Sequence, residues 1–64
     1  METIVSFDAL FADVAEGRAK FARLERGRDD GDVRIVLDDG RAAFASAQEL
    51  KNFEALRRRM RFKN

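Results

Sequence analysis

The chain of 64 residues has neither cysteine nor histidine, so few of its side chains can attack, ligate or shuttle a proton near neutral pH. Enzymes draw on a nucleophile with its base, a paired acid and base, or a metal, and here only carboxylates and lysines remain for such work. The acids fall where turns and helix faces account for them. Asp29, Asp30 and Asp32 in the loop GRDDGD superficially suggest a calcium loop, but that pattern needs alternating ligands and a bidentate Glu at its twelfth position. Counted from Asp29, the twelfth residue is Gly40. Gly27, Gly31 and Gly40 are spaced as a helix stop, a loop and a hairpin turn, and they do not form a phosphate-binding loop. A domain this small also has little room for a small-molecule pocket of about 300 Å³ or more. No catalytic residue, metal or cofactor is expected, and the chain reads as something other than an enzyme.

The chemistry that is present is charge. Net charge is only +1, yet residues 1–32 carry five basic and eight acidic side chains, whereas residues 33–64 carry eight and four. Five of the late bases lie in the run Arg57, Arg58, Arg59, Met60, Arg61, Phe62, Lys63, with no acid among them. Such asymmetry marks an interaction surface whose partner is protein or nucleic acid. Arginines in a last helical turn also stabilise its free carbonyls, which is the simpler explanation. Two details favour binding. At about 100° per residue, Arg57 falls beside the apolar stripe of its helix and Phe62 falls well away from it. The expectation is that the helix frays or extends from about Met60 in the free chain, and that Arg57 to Lys63 become ordered against a partner.

The elements that position this segment follow from periodicity. DVRIVLDDGRAAFA, residues 32–45, reads as a hairpin in which Asp39-Gly40 forms a two-residue type I′ turn, both residues being able to adopt positive φ. That register sets Asp38 against Arg41, Leu37 against Ala42, Ile35 against Phe44 and Val33 against Ser46. Val33, Ile35, Leu37, Ala42 and Phe44 then share the face to be buried, with Val36 an apolar misfit on the other. The ribbon needs a cover, and two helices supply it. Ser6 is an N-cap with Asp8 in the first turn. Phe7, Leu10, Phe11, Val14, Phe21 and Leu24 recur at helical spacing, which predicts a helix over about 7–26, with Gly17 a tolerated interruption and Gly27 the C′ residue. Ser46 and Glu49 form a capping box, and Ala47, Leu50, Phe53, Leu56 and Met60 stripe a second helix over about 47–60. Met1 to Val5 reads as a short extended arm. The predicted core is Phe44, Leu37, Ile35, Phe53, Leu50, Phe11 and Leu10.

The expected fold class is therefore α+β, two helices packed on one antiparallel hairpin in the order α-β-β-α. It forms a single domain over 1–64 with a basic C-terminal tail at about 57–64. No apolar run approaches a signal-peptide core or a membrane span, so no membrane partner is expected and a cytosolic protein is.

The order of elements, with Val33, the Asp39-Gly40-Arg41 turn, Phe44, and Leu50 followed by Phe53 and Leu56, resembles the small head-to-tail joining protein W family of tailed phages. The resemblance spans about Ala9 to Arg59. It implies two helices on one hairpin, and a virion protein assembled in the host cytoplasm. Such a protein forms a homo-oligomeric ring at the head–tail interface that binds the portal protein, with neighbouring connector subunits and DNA close by. It also implies that Arg57 to Lys63 engage neighbours in the ring. The alternative from another class is a small nucleic-acid-binding or regulatory module using the same basic end. Its bases bunch in one turn and do not line several, which disfavours specific base reading.

Overall fold

Ser6 starts the first helix as expected, its Oγ accepting the Ala9 N–H at 3.2 Å. In the computed structural model, residues 3–26 and 33–61 are described. The elements run β1 (Thr3–Ile4), α1 (Phe7–Ala15), β2 (Phe21–Arg26), β3 (Val33–Leu37), β4 (Arg41–Ala45) and α2 (Ala47–Arg61). The class is α+β, but in place of a lone hairpin there is a four-stranded mixed sheet in the order β1-β4-β3-β2. The extended arm is an edge strand, pairing parallel to β4 with Thr3 opposite Arg41 and Ile4 opposite Ala42.

The single long helix over 7–26 is not formed. Gly17 takes φ +78°, the Arg18 N–H donates to the Asp13 carbonyl at 2.8 Å and the Gly17 N–H to that of Val14 at 3.1 Å. These two bonds are a Schellman motif, so Gly17 and not Gly27 is the C′ residue. Gly27 and the loop acids Asp29, Asp30 and Asp32 lie outside the described residues. The chain then returns as β2, antiparallel to β3, with a bulge between Phe21 and Arg23. A bulge inserts one residue and shifts the side-chain parity. Phe21 and Leu24, three apart, therefore both face the helices, opposite Leu37 and Ile35. That spacing imitates a helical stripe.

The hairpin turn is also corrected. Val33 pairs with Ala45, Arg34 with Phe44, Ile35 with Ala43 and Val36 with Ala42, so three residues, Asp38, Asp39 and Gly40, separate Leu37 from Arg41. The Gly40 N–H donates to the Leu37 carbonyl at 3.2 Å, and Gly40 has φ +92° whereas Asp39 does not enter the positive region. This is a three-residue loop with glycine in the left-handed position, not a type I′ turn. The one-residue difference flips β4. Phe44 is 55% exposed, and Ala43 and Ala45 face the core in its place.

Both helices cover one face of the sheet. Leu10 and Val14 of α1, Phe53 of α2, Ala19, Ile35, Leu37, Ala43 and Ala45 form the core, with Val5, Phe7, Phe11, Phe21 and Leu56 packed at its margin. Leu50 is only half-buried. Neither described helix covers the other face. In its central row, Ala42 and Val36 are buried between their cross-strand neighbours Ile4 and Arg23. The capping box closes as predicted, with the Ser46 N–H donating to Glu49 Oε1 at 2.9 Å and the Glu49 N–H to Ser46 Oγ at 3.2 Å. Neither described helix is long and apolar enough to cross a membrane.

Candidate partner-binding cleft

One charge network and one clamp through the backbone of Lys20 hold the elements that frame the basic end of α2. Asp13, in the last turn of α1, accepts from Arg18 Nε at 3.0 Å and is ion-paired with Arg41 of β4. Arg41 also donates through Nε to Asp39 at 2.7 Å. Asp13 thus ties the end of α1 to the hairpin turn. The Arg41 and Arg18 guanidiniums hold its carboxyl below the ordinary aspartate range, and both arginines are raised in turn. Asp39 is lowered by the Arg41 backbone N–H and guanidinium. The expected Asp38–Arg41 pair is absent because the two residues are not opposed. Asp38 instead accepts the Lys20 N–H at 3.2 Å through its carboxylate, and its own N–H donates to the Lys20 carbonyl at 2.8 Å.

That clamp sets Lys20 and Phe21 beside the last two turns of α2. Phe21 packs against Phe53 with ring centroids 5.8 Å apart, and the Arg57 guanidinium carbon sits 3.9 Å from the centroid of the Phe21 ring. The conflict anticipated at Arg57 is resolved here: a cation next to the apolar stripe stacks on an aromatic face, an arrangement favourable by about 0.5–1 kcal/mol at exposed sites. Around this stack lies an open cleft of about 470 Å³. Its floor is Val14, Ala19, Phe21 and Met60, and its rim is Lys20, Arg57, Arg58 and Arg61, with Glu54 the one acid among the described residues.

Arg57, Arg58, Met60 and Arg61 of the predicted segment are brought together in this cleft. Arg59 is not. It points to the opposite side of α2, beside a second groove of about 430 Å³ floored by Phe7, Phe11 and Leu56. The helix continues through Arg61, so the expected fraying from about Met60 is not seen there. Phe62 and Lys63 lie outside the described residues. Sequence reasoning missed Lys20 and Phe21, because both were assigned to the first helix. Gly17 as a helix terminator was the signal that would have moved them.

The described bases divide into two sets. Arg18, Arg23, Arg34 and Arg41 are each ion-paired to a carboxylate. Among the described residues, none of Lys20, Arg26, Lys51, Arg57, Arg58, Arg59 and Arg61 forms an ion pair. Comparison with known protein families, with curated proteins and with solved structures finds no match.

Proposed function

We propose that this chain is a structural adaptor that joins a larger protein assembly, rather than an enzyme, and that it docks through the cleft at the end of α2. The observation that carries this reading is the convergence of bases without a carboxylate partner from two elements, Lys20 before β2 and Arg57, Arg58 and Arg61 on α2, on an apolar floor. Unlike Arg18 and Arg41, these bases have no carboxylate partner among the described residues. A planar guanidinium binds a carboxylate through two parallel bonds and stacks on rings, so the cleft suits an acidic protein segment that carries one apolar anchor.

Among assemblies, the order of motifs noted above favours the head–tail connector of a tailed phage or phage-like particle, with this chain as one of several copies bound to a portal ring. The larger sheet departs from the two-helices-on-a-hairpin fold that the resemblance implies. The support therefore comes from motif order and the basic end, not from the fold. Nucleic-acid binding is the second reading. The cluster of bases suits phosphates, but the apolar floor and Glu54 suit them less.

The test is sedimentation of the chain with the portal protein encoded in the same genome. The parent should co-sediment with the ring, Arg58→Glu with Arg61→Glu should lose at least about tenfold in affinity, and Arg59→Glu, a charge reversal outside the cleft, should bind as the parent does. A chain that ignores the portal but binds duplex DNA, with affinity falling steeply between two salt concentrations, would replace this reading with the second.

A further inference from the structure

The sheet has two edges, and they are unlike. β1, at one end, is two residues long, which is a common way to blunt an edge. β2, at the other, offers six residues without proline. The direction of its free hydrogen-bonding groups follows from the ladders. The Leu37 carbonyl bonds on the β4 side, to Gly40, and backbone groups of successive residues turn to alternate sides of a strand. Leu37, Ile35 and Val33 therefore bond toward β4, and Val36 and Arg34 toward β2. Arg34 is opposite Glu25, so Glu25 bonds inward and the backbone N–H and C=O of Leu24 face away from β3, where no described strand lies.

Charges on an edge strand normally keep copies apart, and they do so when they are of one sign. Here the sequence Arg23-Leu24-Glu25 is complementary to itself when reversed. We infer that β2 is a self-association edge, at which a second copy of this chain adds antiparallel about a two-fold axis through Leu24 and makes one continuous eight-stranded sheet.

In that register Leu24 lies opposite Leu24 of the second copy, and Arg23 lies opposite its Glu25, twice over by symmetry. Arg23 and Glu25 share the helix-free face with Arg34 and Val36. Each cross-strand row then reads Val36, Arg23, then Glu25 and Arg34 of the second copy, with alternating charge. Glu25 is already ion-paired with Arg34 and with Arg23 of its own chain, which holds the carboxylate on that face. Because the Leu24 backbone groups face outward, the Leu24 pair is the one that exchanges both hydrogen bonds. The Arg23–Glu25 pairs are then the closer kind, with Cα atoms about 4.5 Å apart. On the other face Leu24, 39% exposed, gains an apolar neighbour. The contact is isologous, so it closes at two copies. It leaves the cleft's cations out of the pairing, and its test is separate from that of the proposed function.

The experiment is sedimentation equilibrium of the full chain up to millimolar concentration, with thermal melts by circular dichroism as a check on folding. The parent should approach the mass of two chains. Leu24→Pro removes an N–H that β3 does not use, so it should melt close to the parent and sediment as one chain. Arg23→Glu alone and Glu25→Arg alone each place like charges opposite one another and should sediment as one chain. Mixed in equal amounts they place every Glu opposite an Arg, and the mass of two chains should return. A parent that stays at the mass of one chain overturns the inference, whether or not the edge takes a strand from a different protein. So does a mixture that fails to restore pairing while both variants melt as folded domains.

Discussion

Asp13 joins three parts of the chain through two arginines, and its acidity reports that junction. Arg41 and then Arg18 lower its carboxyl in the folded chain. A carboxyl more acidic folded than unfolded stabilises the fold above its unfolded value, and that contribution is lost as pH falls through the folded one. The parent should therefore be more stable than Asp13→Asn at neutral pH, and the gap should shrink below about pH 4. Urea midpoints across that range measure it, and a gap independent of pH would mean that the carboxylate is not what ties α1 to the turn. Residue-scale packing gives a second prediction. With Phe44 at the surface, Phe44→Ala should move stability by no more than about 0.5 kcal/mol. Ala43→Leu overfills the core and should cost about 1–3 kcal/mol. The reverse ranking in chemical denaturation would restore the two-residue turn. The Asp-Gly pair was legible in the sequence, but the choice between a two- and a three-residue loop was not. Either loop leaves an alternating pattern on β4, because alanine fits both faces.

At the scale of elements, caps were easier to read than periods. Ser6, and Ser46 with Glu49, act through contacts three residues away, and both appear as expected. The first helix was misjudged because the bulge in β2 sets Phe21 and Leu24 three apart on one face, the spacing of a helix. The apolar spacing by itself does not distinguish the two, since the bulge exists only in pairing with β3. Gly17 supplies a test in which the sign of the effect decides. In the middle of a helix, replacing glycine by alanine gains about 1 kcal/mol. At φ +78° with no atom within 4 Å of an added Cβ, the cost is backbone strain alone, about 1–2 kcal/mol. Gly17→Ala should therefore lower the melting temperature. A raised one would put Lys20 and Phe21 back on a helix and dissolve the cleft.

Over the whole molecule, charge is sorted by task. The pairs around Asp13 and Glu25 lie at the end of α1, the hairpin turn and the helix-free face, where they connect elements. Among the described residues, four bases without an ion pair, Lys20, Arg57, Arg58 and Arg61, gather at one end of α2 over Phe21 and Met60, whereas Arg26, Lys51 and Arg59 lie outside that cleft. The sequence showed the density of charge there but not its partner element, because that depends on where the chain returns after Gly17. The central claim is that this cleft binds an acidic segment with an apolar anchor. It is tested most directly by titrating isotope-labelled protein with a synthetic Asp/Glu-rich peptide containing one Phe, and with the same peptide containing Ala instead, while recording amide and arginine side-chain resonances. Saturable shifts are expected at Lys20, Phe21, Arg57, Arg58 and Arg61, weakened by salt and much reduced for the Ala peptide. Shifts that spread over all exposed bases alike, or that are the same for both peptides, would contradict it.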